Sequence, residues 1–251
     1  MTETTDVCIV GGGVAGLSAG VFTARHGLET TVVSTGESLL ARNAHLENVP
    51  GFPAGVNARR FLDMLERQAE EAGCAFREGE VTRVSVDDEG FAVETAAGER
   101  FWADYVVAAT KNTVDYLRGI DGVGLVDRGK MYVDTDERGR TGINGLYAAG
   151  RLAEKPHQTA VCAGHGAEVA VALLEADDRP FYHDWVTPDG YFSDRGREVP
   201  PGCEEIDEAE RETRERESMD AMTEAFTQRH PDEPTQHPSV AADDESETRT
   251  N

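Results

Sequence analysis

The stretch Asp6-Val7-Cys8-Ile9-Val10-Gly11-Gly12-Gly13-Val14-Ala15-Gly16 constrains the fold more than any other part of the chain. Its first half is an apolar run of strand length, and its second half carries glycines at GxGxxG spacing. Leu17 to His26 then reads as a helix and Thr30 to Ser34 as a second apolar strand, so the order is strand, tight turn, helix, strand. Gly11 permits the turn, Gly13 lets a pyrophosphate approach bare backbone, and Gly16 lets helix and strand pack closely. The helix start at Val14 and Ala15 offers free N–H groups and the positive end of a dipole to phosphate. The whole turn, Gly12 included, is expected to hold a dinucleotide. A glycine-rich turn without a ligand is the plain alternative.

Charge narrows the partners. The 251 residues hold 48 Asp and Glu against 24 Lys and Arg, a net charge of -24. Lys111, Lys130 and Lys155 are the only lysines. Such a surface repels nucleic acid and anionic lipid, so neither is expected as a partner. Many carboxylates with few lysines fit adaptation to high salt, where repulsion is screened to short range. An acidic tail alone does not explain the excess, because residues 1–182 already carry 28 acids against 17 bases. No stretch reaches the roughly 18 apolar residues of a membrane span. Glu3 and Asp6 stand where a signal peptide carries Lys or Arg, and the expected location is cytoplasmic. Cys8, Cys74, Cys162 and Cys203 include no CxxC pair, which predicts neither a disulfide framework nor a metal site.

Further along, residues 57–72 read as a helix with Phe61, Leu62, Leu65 and Ala69 on one face. Glu80–Val86, Phe91–Thr95 and Arg100–Trp102 alternate polar and apolar residues around turns, as a three-stranded meander does. Tyr105–Thr110 and Gly145–Gly150 are apolar runs suited to central parallel strands, and Gln158–Leu174 reads as a helix. The fold class is therefore α/β: a Rossmann-like, doubly wound parallel sheet with a β-meander insert. Residues 1–182 form the nucleotide-binding domain. Residues 183–251, with 20 acids and 7 bases, form an acidic C-terminal extension. It is expected to contain a helix over 204–226, with Ile206, Met219, Met222 and Phe226 as a thin apolar stripe, and to be disordered after about 229.

Together these pieces resemble the FAD domain of low-molecular-weight thioredoxin reductases, in the pyridine nucleotide-disulfide oxidoreductase superfamily. The resemblance covers about residues 5–176. It is carried by the glycine turn at 11–16, by Glu47-Asn48-Val49-Pro50-Gly51, and by the late strand with its Gly150 turn and following helix. It implies FAD as cofactor, with NAD(P) as the alternative. The implied contacts are the turn, Ser34, Asn48, Thr110, Gly150 and Arg151, and His157, Gln158 and Thr159 at the helix start, where the family has Arg-Gln-Ala.

The departures from that pattern are specific. In the family a second nucleotide-binding domain, for NADPH, is inserted in the FAD domain and carries the redox CxxC. Here 34 residues separate Thr110 from Gly145, too few for a domain. Arg151 replaces an Asp that accepts bonds from the ribityl chain, whereas a guanidinium only donates. It can instead grip the pyrophosphate. Lys111 replaces a Gly. Ser34 stands where an acid usually bonds the adenosine ribose, which weakens the NAD reading, while Arg42 keeps a 2′-phosphate open.

The expected function is a flavoprotein oxidoreductase passing electrons between an unnamed donor and acceptor, either of which can be a protein. The alternative is a non-catalytic dinucleotide-binding or regulatory protein. Cys162, one turn into the last helix, and His157 are the candidate catalytic side chains. Packing and backbone hydrogen bonding are the plain readings of both. Surface left by the missing domain invites a homodimer, or cover from the aromatic segment Tyr182–Tyr191; a solvated acidic extension is the alternative there.

Overall fold

A computed structural model of the chain describes residues 3–36, 38–87 and 90–236. The opening motif forms β1 (Glu3–Val10), α1 (Val14–Arg25) and β2 (Thr30–Ser34). The strands pair in parallel from Val7↔Thr30 to Val10↔Val33. After α2 (Ala58–Glu71), β3 (Ala75–Glu78) extends this sheet beyond β2. The meander supplies β4 (Val81–Asp87), β5 (Gly90–Thr95) and β6 (Arg100–Ala108). A hairpin, β7 (Leu125–Asp127) and β8 (Met131–Val133), precedes β9 (Leu146–Ala148) and α3 (Thr159–Leu174). The sheet order is β3-β2-β1-β6-β5-β4, with β9 also paired to β6.

β6 corrects the sequence reading. Arg100–Trp102 and Tyr105–Thr110 are expected as two strands, but no glycine or proline breaks the chain between them, and it runs straight through Ala103 and Asp104. The nine-residue strand lies along β1 on one side, from Glu3↔Phe101 to Val10↔Ala108. On its other side it pairs antiparallel with β5 through its first half and parallel with β9 through its second. Meander and parallel sheet are thus one sheet that forks at β6.

The period of two along each strand sorts residues between two cores. Val7, Ile9, Val32, Val107 and Tyr147 face the helices and pack with Leu17, Val21, Ala69, Val169 and Leu173. Cys8, Val10, Val33, Val106 and Ala108 face the other way, against Val84, Phe91 and Val93 of the meander and Leu117 and Val133 of the β6–β9 connection. Among the described residues the helices of the core therefore cover one face only, and the meander takes the place of the second helical layer of a doubly wound sheet. Each buried aliphatic side chain contributes about 1.5–3 kcal/mol. Glycine brings α1 and α3 close together: a Cβ on Gly166 would lie 2.1 Å from the Ala15 carbonyl oxygen.

The C-terminal segment holds a small parallel pair, β10 (Trp185–Pro188) with β11 (Cys203–Ile206), then α4 (Glu208–Phe226). The helix starts at Glu208 rather than 204, because Ile206 belongs to β11 and Asp207 accepts the Glu210 N–H as its cap, at 2.8 Å. Met219 and Met222 of its stripe stay in solvent, while Phe226, also exposed, sets its ring 6.3 Å from that of Phe52 and 5.3 Å from the Arg60 guanidinium. Polar contacts link this region to α2, with Arg67–Glu224 at 3.2 Å, Arg60 donating to the Gln228 carbonyl, and His230–Asp63 at 2.8 Å. Residues 230–236 continue past α2 without regular structure; the expectation of disorder for 237–251 lies outside the described residues.

The aromatic segment does not close over the nucleotide end of the sheet. Arg25–Asp184 at 2.6 Å and Tyr182 N–H to His26 Nδ1 at 3.2 Å tie it to the C-terminal end of α1. That is about 18 Å, twelve residues at 1.5 Å each, from the Gly13 end.

Candidate functional site

The carboxyl ends of β1, β2, β6 and β9 open on one cleft of about 1080 Å³, where ligands bind in open α/β sheets. Three glycines of the turn meet three different surroundings. Gly11 has φ +114°, and a Cβ there would strike the Ala109 carbonyl oxygen at 2.7 Å. A Cβ on Gly16 would lie 2.0 Å from the Gly11 oxygen, so this residue closes helix onto turn. At Gly13 nothing lies within 4 Å, and the bare backbone faces the cleft.

Gly13 is also the N-cap of α1, with no side-chain cap and no acid in the first turn. The first N–H groups of α1 therefore have no side-chain acceptor among the described residues and point where an anion can take them. α3 repeats this arrangement. Its N-cap, Gln158, provides no side-chain cap, and Gln158, Thr159 and Cys162 line the same cleft. Asn48 Nδ2 donates to Gln158 Oε1 at 2.7 Å, joining the Glu47–Gly51 loop to the start of α3.

Of the expected contacts, Gly11, Gly12, Gly13, Val14, Ala15, Ser34, Asn48, Thr110, Arg151, His157, Gln158 and Thr159 line the cleft. Gly16 and Gly150 do not. Gly16 packs the turn, while the Gly150 N–H donates to His165 Nδ1 at 2.9 Å, with Ala15 against its α-carbon. Because His165 Nδ1 accepts, that imidazole is neutral, and burial lowers its pKa further. Thr110 Oγ1 is held by Tyr116 Oη at 2.9 Å and donates to the Thr113 carbonyl at 2.6 Å.

Arg151 stands on the ring of Tyr132, 5.0 Å from its centroid. It donates to Tyr132 Oη at 2.6 Å and to the Lys155 carbonyl at 3.2 Å, leaving the other N–H donors of its five without an acceptor among the described residues. Lys111 holds φ +64°, a left-handed backbone that costs a non-glycine residue about 1–2 kcal/mol. Burial lowers its pKa, as do Lys130, Arg42 and Arg151 nearby. Burial likewise lowers that of His157, helped by Lys111, Arg151 and Lys130, so His157 is neutral at pH 7.

Cys162 lines the cleft, but burial pushes its thiol pKa up, beyond what the Gln158 and Arg151 backbone contacts take back. Its Sγ donates to the Pro156 carbonyl at 3.5 Å. A helix N-terminus alone would lower a thiol pKa; here burial wins, and the side chain is a thiol at neutral pH.

Other site residues escaped the sequence reading. Arg59, on the expected helix but off its apolar stripe, is buried and donates to the carbonyls of Ala41 at 2.7 Å, Asn43 at 2.8 Å and Ala44 at 3.3 Å. It fixes the loop whose residues 39–43 wall the cleft. The β3–β4 turn at Gly79–Val81 and the tail at Thr235 and Gln236 also line it. The β2–β3 pairing brings the first of these to the cleft; nothing in the local sequence marks the tail.

An FAD-binding domain family model matches residues 6–46, and the pyridine nucleotide-disulphide oxidoreductase family model matches 52–166. The cleft lies across both. The two matches support an FAD domain of the pyridine nucleotide-disulphide oxidoreductase superfamily. Thioredoxin reductase of Rickettsia typhi is 30% identical over 112 residues, 44% of this chain and 36% of that protein. Ferredoxin–NADP reductase of Levilactobacillus brevis is 30% identical over 182 residues, 69% of this chain and 51% of that protein. The chain thus spans between about a third and a half of these relatives' length. In fold it is similar to a thioredoxin reductase structure from Gloeobacter violaceus, with TM-score 0.65 at 18% identity over 74% of this chain and 100% of that one. FAD is the cofactor of the domain. The open cradle at Gly13 and the uncapped α1 suit its pyrophosphate. At Arg151 the chain offers donors where the superfamily's motif has a carboxylate.

No helix among the described residues is long and apolar enough to cross a membrane.

Proposed function

We propose that this chain is an FAD-dependent oxidoreductase, similar to thioredoxin reductase, that works without a nicotinamide domain or redox disulfide of its own and passes electrons between an external donor and acceptor. The observation that carries this reading is the connection from β6 to β9. Its residues, 109–145, form a short 3-10 turn at Asp115–Leu117 and the β7–β8 hairpin, much less than the 50 or so residues of a small domain.

FAD, when bound, supplies the electron-accepting and electron-donating chemistry. The residues of the chain bind and orient it. The Gly11–Gly13 turn and the α1 N-terminus take the pyrophosphate. Asn48, held by Gln158, fixes the loop facing the start of α3, and Arg59 fixes the wall from Ala41 to Ala44. His157 offers a neutral imidazole that can accept or donate a proton. Cys162 does not substitute for a dithiol, because it has no CxxC partner and burial keeps it protonated.

Arg151 supports a second reading, a non-catalytic protein that keeps the scaffold. Anaerobic addition of NADH or NADPH to the FAD-loaded protein separates the two. Bleaching of the flavin bands supports turnover. If neither nicotinamide nor dithionite-reduced ferredoxin reduces the flavin, the oxidoreductase reading fails.

A further inference from the structure

The cations of this acidic chain are unevenly matched. At least ten arginines, from Arg25 on α1 to Arg214 on α4, lie within 3.8 Å of a carboxylate. Arg42, Lys111, Lys130 and Arg151 make no ion pair among the described residues, although acids outnumber bases two to one. These four come from four separate places: the loop after β2, the end of β6, the tip of the β7–β8 hairpin and the end of β9. Arg42, Lys111 and Arg151 line the cleft, and Lys130 stands close enough to act on Lys111 and His157. The carboxylates of the cleft, Glu47 and Glu80, pair with none of them; Glu47 is held by His45 at 2.8 Å.

Gathering like charges is unfavourable unless an anion joins them. The FAD pyrophosphate, with about two negative charges, already has the glycine turn and the α1 N-terminus. Four cations exceed what it needs, and Lys130 lies outside the cleft lining that holds the turn.

We propose that Arg42, Lys111, Lys130 and Arg151 form a second anion site at the mouth of the cleft, which binds the phosphates of a diffusible nicotinamide dinucleotide. The inference rests on the reading of the chain as a flavoprotein fed from outside, and it names the class of donor. Three of the four cations line a concave cleft rather than a flat face, which favours a small phosphorylated molecule over an acidic protein surface. A donor held there lies in the same cleft as the cofactor.

The test uses FAD-loaded protein and its Lys111→Gly/Lys130→Ala variant. Glycine relaxes the positive φ at 111, and 130 is an exposed hairpin tip, so the variant is expected to fold. Both proteins are titrated calorimetrically with NADP+ and with inorganic pyrophosphate, at low and at molar salt. The expected result is equal FAD content and probe binding weakened about tenfold or more in the variant, with the difference shrinking in molar salt. Equal binding of the probes by both proteins, or no binding by either, overturns the proposal. So does loss of FAD from the variant, because the lysines would then serve the cofactor. If the wild-type protein holds no FAD, the flavoprotein reading fails separately. Pyrophosphate titration of the two apoproteins then tests the cation site alone: a tenfold difference supports it and equality overturns it.

Discussion

Among the described residues, α2 and α4 begin with a side-chain cap, and α1 and α3 begin without one. Asn57 Oδ1 accepts the N–H groups of Arg59 at 3.0 Å and Arg60 at 3.2 Å, and Asp207 caps α4. Gly13 and Gln158 cap nothing with their side chains. The capped helices satisfy N–H groups of their own first turn. The uncapped pair opens on the cleft, where bound phosphate or flavin can do the same. The difference separates helix ends that serve the fold from helix ends that serve a ligand.

The largest expected effect comes from filling the space behind an uncapped end. Gly16→Val places a Cβ 2.0 Å from the Gly11 oxygen, so backbone must move. A loss of at least about 3 kcal/mol of stability is expected, and thermal unfolding by circular dichroism measures it. A Tm within a few degrees of wild type would show that α1 is not pinned to the turn.

Gly13→Asp sharpens the comparison by sign. The added Cβ meets no atom within 4 Å and the carboxylate can give α1 the cap it lacks, so the apoprotein should gain a few tenths of a kcal/mol. FAD affinity should fall about 100-fold, because a carboxylate then stands where the pyrophosphate binds. Apoprotein melting and FAD fluorescence quenching read the two effects. A fall in both stability and affinity would mean that Gly13 is structural.

Asn57→Ala is expected to cost about 1 kcal/mol and to leave FAD affinity within twofold. Asp207→Ala should cost less than about 1 kcal/mol and act locally. Hydrogen exchange would show fraying of the first turn of α4 with the sheet unchanged. The smallest effect concerns Cys162. Alkylation by iodoacetamide at pH 8 should reach half-buried Cys203 well before Cys162, whose thiol burial keeps protonated. Faster labelling of Cys162 would restore it as a redox candidate.

Much of the fold is legible in the sequence because local signals agree with the tertiary structure. The glycine turn, the parallel β1–β2 pair and the helices from 58 and 159 each carry a period or a turn chemistry that needs no distant information. β6 was misread because its alternating half belongs to the meander and its apolar half to the parallel sheet, so one strand shows two patterns. The helices' restriction to one face is likewise a property of the assembled sheet. Arg59 was invisible because its partners are carbonyls of a loop 15–18 residues earlier. The meeting of Lys111, Lys130, Arg42 and Arg151 is long-range in the same sense. Thr235 and Gln236 reach the cleft through contacts of α4 and His230 with α2, which local sequence does not signal.

The central claim is that the cleft at the glycine turn holds FAD. Its most direct test is to strip and reconstitute the purified protein with FAD at high salt, then measure bound flavin per chain from the visible absorbance after desalting. The account predicts one FAD per wild-type chain and a colourless Gly13→Asp variant. A wild-type protein that stays colourless, or a variant that retains the full flavin content, would contradict it.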